Sequence, residues 1–179
     1  MHAPEHWGTS SAERARRTAA DELVPRPVAR WTRAATARAT PEDLWRWVQQ
    51  LTVAPYSYDL LDNLGRPSPP TLTPGADEVR PGQRLLVLFV VDSVVRGEHL
   101  TIRRSRRGPS PRRGYGPVAE FAITYAVHPD GPDRTRLVAT VVLDGTPGLV
   151  GNLLRYALAW GDLVMMRRQL TRLAALAGR

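Results

Sequence analysis

Residues 146–177 read TPGLVGNLLRYALAWGDLVMMRRQLTRLAALA, and this stretch decides how the rest of the chain must be arranged. Thr146 can cap free backbone N–H groups, and Pro147 suits the first helical position. Leu153, Tyr156, Trp160, Leu163, Leu170 and Ala174 recur at helical spacing and are expected to form one apolar stripe. Asn152, Arg155, Asp162 and Gln169 lie elsewhere on the same helix. At ~1.5 Å per residue, some 30 residues make a rod of about 45 Å. A helix that long buries its stripe only by lying across a whole sheet. Gly161 inside it costs about 1 kcal/mol relative to Ala. Either close packing against a strand or room for a ligand beside Trp160 accounts for that glycine.

Working back from this helix, four segments have strand character: 83–91 (QRLLVLFVV), 97–104 (GEHLTIRR), 118–127 (VAEFAITYAV) and 135–143 (TRLVATVVL). The turn HPDGPD between the last two contains Asp-Gly, a strong hairpin signal. A shorter strand is expected around Asp77–Val79. Sequential strands linked by turns predict an antiparallel sheet rather than a parallel one. On 118–127, Ala119, Phe121, Ile123, Tyr125 and Val127 form one face, and Glu120, Ala122, Thr124 and Ala126 the other. Large residues mark the packed face, although small ones would leave a cavity and make Glu120 a buried acid. Arg84 poses the same question of parity. His99 is expected to face outward if Leu100 and Ile102 face inward.

Further back, residues 28–39 (VARWTRAATARA) suggest a first strand. Thr40-Pro41-Glu42-Asp43 opens a helix with the stripe Leu44, Val48 and Leu51, and Trp47 at its border. A second short helix is expected from Ser57 to Leu64, with Gly65 ending it in a left-handed conformation. On that helix Asp59, Asp62, Asn63 and Arg66 share one side, opposite Ser57, Leu60, Leu61 and Leu64, which are expected to face the core. Residues 1–26 lack a firm apolar period and read as a flexible tail with at most a marginal helix between Ser11 and Leu23. Residues 27–179 then form one domain, a size at which no metal or disulfide is needed for stability.

Composition works mostly by subtraction. The 179-residue chain has no Cys, and all 25 of its basic residues are Arg. Disulfides, thiolate metal sites, a Cys nucleophile, Schiff-base lysines and a P-loop lysine are therefore excluded. Four scattered histidines without paired spacing predict no metal site. No G-x-S-x-G, H-E-x-x-H, G-x-G-x-x-G or Walker sequence is present, and no cofactor is expected. The net charge of +8 is concentrated between Arg103 and Arg113 (RRSRRGPSPRR), whose removal leaves only +2. Residues 103–117 read as a flexible loop facing water or as a dock for an acidic partner, since Arg forks pair with carboxylates and phosphates. Without interleaved aromatics the run offers nothing to stack nucleic-acid bases. The amino terminus lacks the apolar core of a secretory signal, and the longest apolar run, Leu85–Val91, is only strand length. A cytoplasmic protein is expected.

The order of strand, two short helices, antiparallel sheet and long terminal helix resembles the helix-grip fold of the SRPBCC (START-like) superfamily, which includes polyketide cyclase/dehydrase-like proteins. The residues that carry the likeness are ATPEDLWRWVQQL (39–51), APYSYDLLDNLGRPSP (54–69) and the terminal LLRYALAWGDLVMMRRQLTRLAAL. The resemblance implies an α+β fold, with a curved sheet wrapped around the last helix and an apolar cavity between them for a polyketide- or lipid-like molecule. It implies cyclisation or dehydration of a polyketide-like substrate, or else a non-catalytic carrier or sensor. A third reading is a module docking an acidic carrier protein through the Arg-rich loop. On the catalytic reading, Asp59 or Asp62 removes an acidic proton while Tyr58 or Arg66 steadies the enolate. Asp62 and Arg66 also fit a plain surface pair worth ~0.3–0.5 kcal/mol. Tyr56, Arg66, Tyr156, Trp160, Phe89 and Tyr125 are the residues expected to touch the ligand.

Overall fold

A computed structural model describes residues 4–85, 89–104, 118–145 and 148–179, without the side chains of Leu61, Val118 and Ala119. Its elements are β1 (His6–Trp7), α1 (Ser11–Ala15), α2 (Ala19–Leu23), β2 (Ala29–Ala37), α3 (Pro41–Gln49), α4 (Asp59–Asp62), β3 (Arg84–Leu85), β4 (Phe89–Val95), β5 (His99–Arg104), β6 (Val118–Pro129), β7 (Thr135–Gly145) and α5 (Leu149–Ala177). A 3-10 turn, Gln50–Thr52, follows α3. The strands form one seven-stranded sheet in the order β1-β2-β7-β6-β5-β4-β3, antiparallel except at the β1–β2 edge. Register shifts between Val91 and Ser93, and between Val118 and Phe121, are bulges that bend the sheet. α5 crosses the concave side and packs mainly on β2 and α3.

Several local signals act as their chemistry requires. The Thr40 hydroxyl accepts a hydrogen bond from Asp43 N at 3.2 Å, and Pro41 opens α3 behind it. Leu44, Val48 and Leu51 are buried in the main core. Ile123, Tyr125 and Val127 join that core, as do Leu100 and Ile102. Large residues therefore mark the concave face, and half-buried His99 faces the other way. The expected strand 83–91 is two, β3 and β4, paired antiparallel with Leu85 opposite Phe89. Leu85 is buried and Arg84 exposed. No strand forms at Asp77–Val79. Thr146 and Pro147 lie outside the described residues, as does the Arg-rich run beyond Arg104.

The amino-terminal segment differs from the expected tail. Ser10 and Glu13 form a capping box on α1, and Thr18 and Asp21 do the same on α2. Arg136 of β7 bridges to Glu13 at 2.8 Å, and Arg30 of β2 bridges to Asp21 at 2.8 Å. Ala20 and Val24 bury themselves against Ala122 and Val142 on the convex face. Ala20 N donates to Thr124 Oγ1 at 3.0 Å, and that hydroxyl lies 2.9 Å from Thr101 Oγ1. The apolar anchors are few and small, so they leave no periodic signal, and the ion-paired arginines read as ordinary surface charge. Gly8 turns this segment away from β2 at a φ of 68°, where any Cβ would collide with the Ala34 carbonyl. With α1 and α2 outside and α5 and α3 inside, β7 is buried on both faces from Leu137 to Leu143.

Candidate functional site

The residues expected to be catalytic meet in a clasp between α4 and the carboxy-terminal half of α5. Asp59 accepts from Arg172 Nη1 at 3.1 Å and from the Ser68 hydroxyl. Tyr56 N donates to Ser68 Oγ at 3.1 Å, and Arg172 Nη2 donates to the Ser68 carbonyl at 3.2 Å. Ser57 Oγ donates to Asp62, while Arg168 Nε donates to the Ser57 carbonyl at 3.0 Å. The Arg168 guanidinium stacks 4.8 Å from the centre of the Tyr58 ring. Tyr56 is fully buried with a φ of 55°, a left-handed conformation that costs a non-glycine residue about 1 kcal/mol or more. Trp47 packs edge-on to its ring, and Arg172 lies 5.7 Å from the ring centre.

This clasp inverts the expected orientation of α4. Leu60 and Leu64, expected to face the core, are 80% and 91% exposed. Asp59 and Asp62 turn inward instead, because Arg172 and Ser68, and Ser57, offer them charge and donors. The helix itself spans only Asp59–Asp62, too short for periodicity to impose a side. Burial alone would raise the Asp59 pKa, but hydrogen bonds from Ser68 and Arg172 outweigh it and hold the carboxyl below its ordinary value. That makes Asp59 a weaker base. Burial raises Asp62, against backbone hydrogen bonds and with the Asp59 charge adding to the rise. Its Oδ1 is buried without a partner. Arg66 is exposed and away from Asp62; its carbonyl accepts from Asn63.

A second polar centre lies beneath the amino-terminal half of α5, and it escaped sequence reasoning. Arg33 of β2 has no solvent exposure and places Nη2 3.1 Å from Asp162 Oδ2. Its Nη1 donates to the Glu5 carbonyl and, at 3.3 Å, to the Thr32 carbonyl; Nη2 is held by the Asp162 ion pair, and Nε makes no hydrogen bond. Burial pushes the Asp162 carboxyl up to about 6, with the Arg33 charge and N–H opposing. Nearby, the Tyr125 hydroxyl donates to Gln169 Oε1 at 2.9 Å, and Gln169 Nε2 donates to the Pro55 carbonyl. Burial and the Asp162 charge raise the Tyr125 pKa. Alternation on β2 placed Arg33 on the concave face with Trp31 and Ala35. The signal available was an arginine in register with two core residues.

The stripe on α5 is rotated in its amino-terminal half, while Leu170 and Ala174 are buried as expected. Gly151, Arg155, Ala159, Met166, Gln169, Leu170, Leu173, Ala174 and Leu176 are buried, and Asp162 is half-buried on the same side. Leu153, Tyr156 and Trp160, expected to be buried or to touch a ligand from inside, stand on the outer face at 70%, 55% and 45% exposure. Tyr156 and Trp160 pack edge-on to each other there. A Cβ at Gly161 would meet nothing within 4 Å, so this glycine makes no close contact with a strand. Of the remaining expected ligand contacts, Tyr125 is buried in the core and Phe89 is half-buried edge-on to Phe121. Among the described residues, no three His, Asp or Glu side chains gather as a metal site, and no helix is long and apolar enough to cross a membrane.

The combination of a bent antiparallel sheet, two short helices after the first long strand and a terminal helix laid across the concave face defines a helix-grip fold. A protein from Thermobifida fusca, determined by NMR, is 17% identical and superposes with a TM-score of 0.54 over 84% of this chain and 93% of that one. The di-domain ARO/CYC BexL of the BE-7585A biosynthetic pathway is 16% identical, with a TM-score of 0.43 over 82% of this chain and 45% of that one. A truncated norcoclaurine synthase from Thalictrum flavum is 16% identical, with a TM-score of 0.40 over 76% of this chain and 92% of that one. At such identities the likeness concerns the fold alone. No protein-family pattern and no curated protein matches the sequence.

Proposed function

We propose that the protein binds an apolar, carbonyl-bearing small molecule between α5 and the concave face of the sheet, with the ligand's oxygen on Arg33. The observation that carries this reading is a fully buried guanidinium whose Nε has no hydrogen-bond partner and whose Nη2 meets only the Asp162 carboxylate. Buried donors are almost always satisfied, and an unmet one costs about 1–3 kcal/mol. A ligand carbonyl supplies the missing acceptor without adding charge to the Arg33–Asp162 pair. The fold and the surrounding core residues Trp31 and Tyr125 suit an apolar remainder.

The reaction this centre favours is proton removal next to that carbonyl, a step shared by cyclisation and dehydration of polyketide-like substrates. Asp162 takes the proton as the C–H bond breaks, the electron pair moves onto the carbonyl oxygen, and Arg33 N–H groups hold the resulting enolate. A carboxyl pushed up to about 6 is a better base than an ordinary one while remaining ionised at neutral pH. Asp59, Asp62, Tyr58 and Tyr56 act in this scheme as the clasp that fixes α5 over the sheet. The acidic carrier protein remains a reading of the Arg-rich run, outside the described residues.

Titration with 1-phenyl-1,3-butanedione, followed through its enol absorbance, tests the proposal. Wild-type protein is expected to bind it. Arg33→Gln is expected to weaken binding by about tenfold or more, the loss of a charged hydrogen bond. Asp162→Asn should retain binding but slow deuterium exchange at the α-carbon of bound 2-decanone. Equal binding by wild type and a folded Arg33→Gln protein overturns the assignment of Arg33. Equal exchange in Asp162→Asn reduces the protein to a carrier.

A further inference from the structure

The polar centre accounts for the inner side of α5 and leaves its outer side unexplained. From Leu149 to Val164 that side exposes Leu149, Leu153, Tyr156, Trp160 and Val164 in successive turns, flanked by Val150, Leu154 and Leu158. Scattered exposed apolar residues are normal, but a continuous line of large ones marks an interaction surface. The line contains no acid: the only carboxylate in this half, Asp162, is turned inward to Arg33. It runs on into exposed Arg167 and Arg168.

We propose that this face seats the protein on an anionic lipid bilayer, with α5 lying in the plane of the headgroups. A helix with Leu and Trp on one side and arginines beside them is the composition that binds membrane interfaces. Trp160 and Tyr156 are the side chains enriched at that depth, apolar in body and polar at one edge. The opposite side of α5 is fixed to the sheet, so the helix presents its apolar line without having to fold on contact. Charge selects the occupant. A second copy brings the same Arg167 and Arg168 to the contact, whereas anionic headgroups complement them. The proposal is independent of the interior ligand, since ligand-free protein suffices to test it.

The test is co-sedimentation of the full chain with vesicles of equal parts phosphatidylglycerol and phosphatidylcholine, and with pure phosphatidylcholine, at ~0.1 M salt. The expected result is binding to the anionic vesicles that weakens as salt rises. Leu153→Glu with Val164→Glu should lower the bound fraction about tenfold or more. Both positions are exposed, so the thermal transition should be unchanged and show that the loss is not unfolding. Arg167→Gln should lower only the preference for anionic vesicles, a few-fold. Equal binding by wild type and the double variant overturns the proposal, as does binding to neither vesicle. Concentration-dependent dimerisation that the double variant abolishes, without vesicle binding, also overturns it by making a second copy the occupant.

Discussion

α5 is two helices in physical terms, joined without a break. From Met166 to Ala177 it is ordinarily amphipathic: Leu170, Leu173, Ala174 and Leu176 are buried, while Arg167, Thr171 and Ala175 are exposed. From Leu149 to Val164 the sense is reversed, with Arg155 and Asp162 on the sheet side and the large apolar residues outside. The two halves share one backbone and one direction on the sheet. They differ in what lies beneath them. The carboxy-terminal half meets the apolar core and α3, and the amino-terminal half meets Arg33. A buried cation requires a counter-charge, and satisfying it dictates the rotation of that half. Helix polarity here follows the neighbour's chemistry, not the helix's own pattern.

The largest test of this contrast strikes the buried pair. Arg33→Met leaves Asp162 without its cation and is expected to cost ~3–5 kcal/mol in denaturant unfolding at pH 7. Adding Asp162→Leu should recover most of that loss. If the double variant is no better than the single one, the charge pair does not orient this half. The same pair has a pH signature. The Asp162 carboxyl is raised in the folded state to about 6, so the native protein binds its proton more tightly than the unfolded chain does. Its contribution to stability is fully present below about pH 4 and is lost as pH rises through 6. The difference in stability between wild type and Asp162→Asn should therefore move against wild type across that window, and be flat above pH 7. A flat difference from pH 4 to 7 would contradict the raised value.

Next in size is the apolar half. Leu173→Ala removes a fully buried side chain and is expected to cost about 3 kcal/mol. The clasp that joins this half to α4 is worth less. Asp59→Asn should cost about 1–2 kcal/mol, read from the thermal transition, because it weakens the hydrogen bonds to Arg172 and Ser68 without opening a cavity. Smallest is Leu153→Ala, on the outer face of the other half, within about 0.5 kcal/mol of wild type. Equal losses for Leu173→Ala and Leu153→Ala would erase the distinction between the halves.

Much of the architecture was legible without coordinates, and for identifiable reasons. The cap Thr40, the proline after it, and the alternation of 118–127 and 135–143 are local signals that act within a few residues. Alternation also placed Tyr125 and Ile123 correctly, because large side chains on a strand seek the thicker layer. The candidate site was read less well. On α4 and on the first half of α5 both sides carry plausible core residues, and single-turn or mixed patterns leave the choice of side open. The Glu13–Arg136 bridge and the burial of Ala20 and Val24 against Ala122 and Val142 join residues far apart in the chain, so the packing of α1 and α2 was invisible.

By itself the sequence determined the order of the main elements from β2 onward, the antiparallel sheet and the long closing helix, since these follow from caps, turns and periodicity over short spans. Only the tertiary structure decided which side of α5 and α4 faces inward and which polar residues meet. Those choices depend on a charge on β2 and a carboxylate on α5 brought together across the fold, where burial, not proximity in sequence, sets the energy.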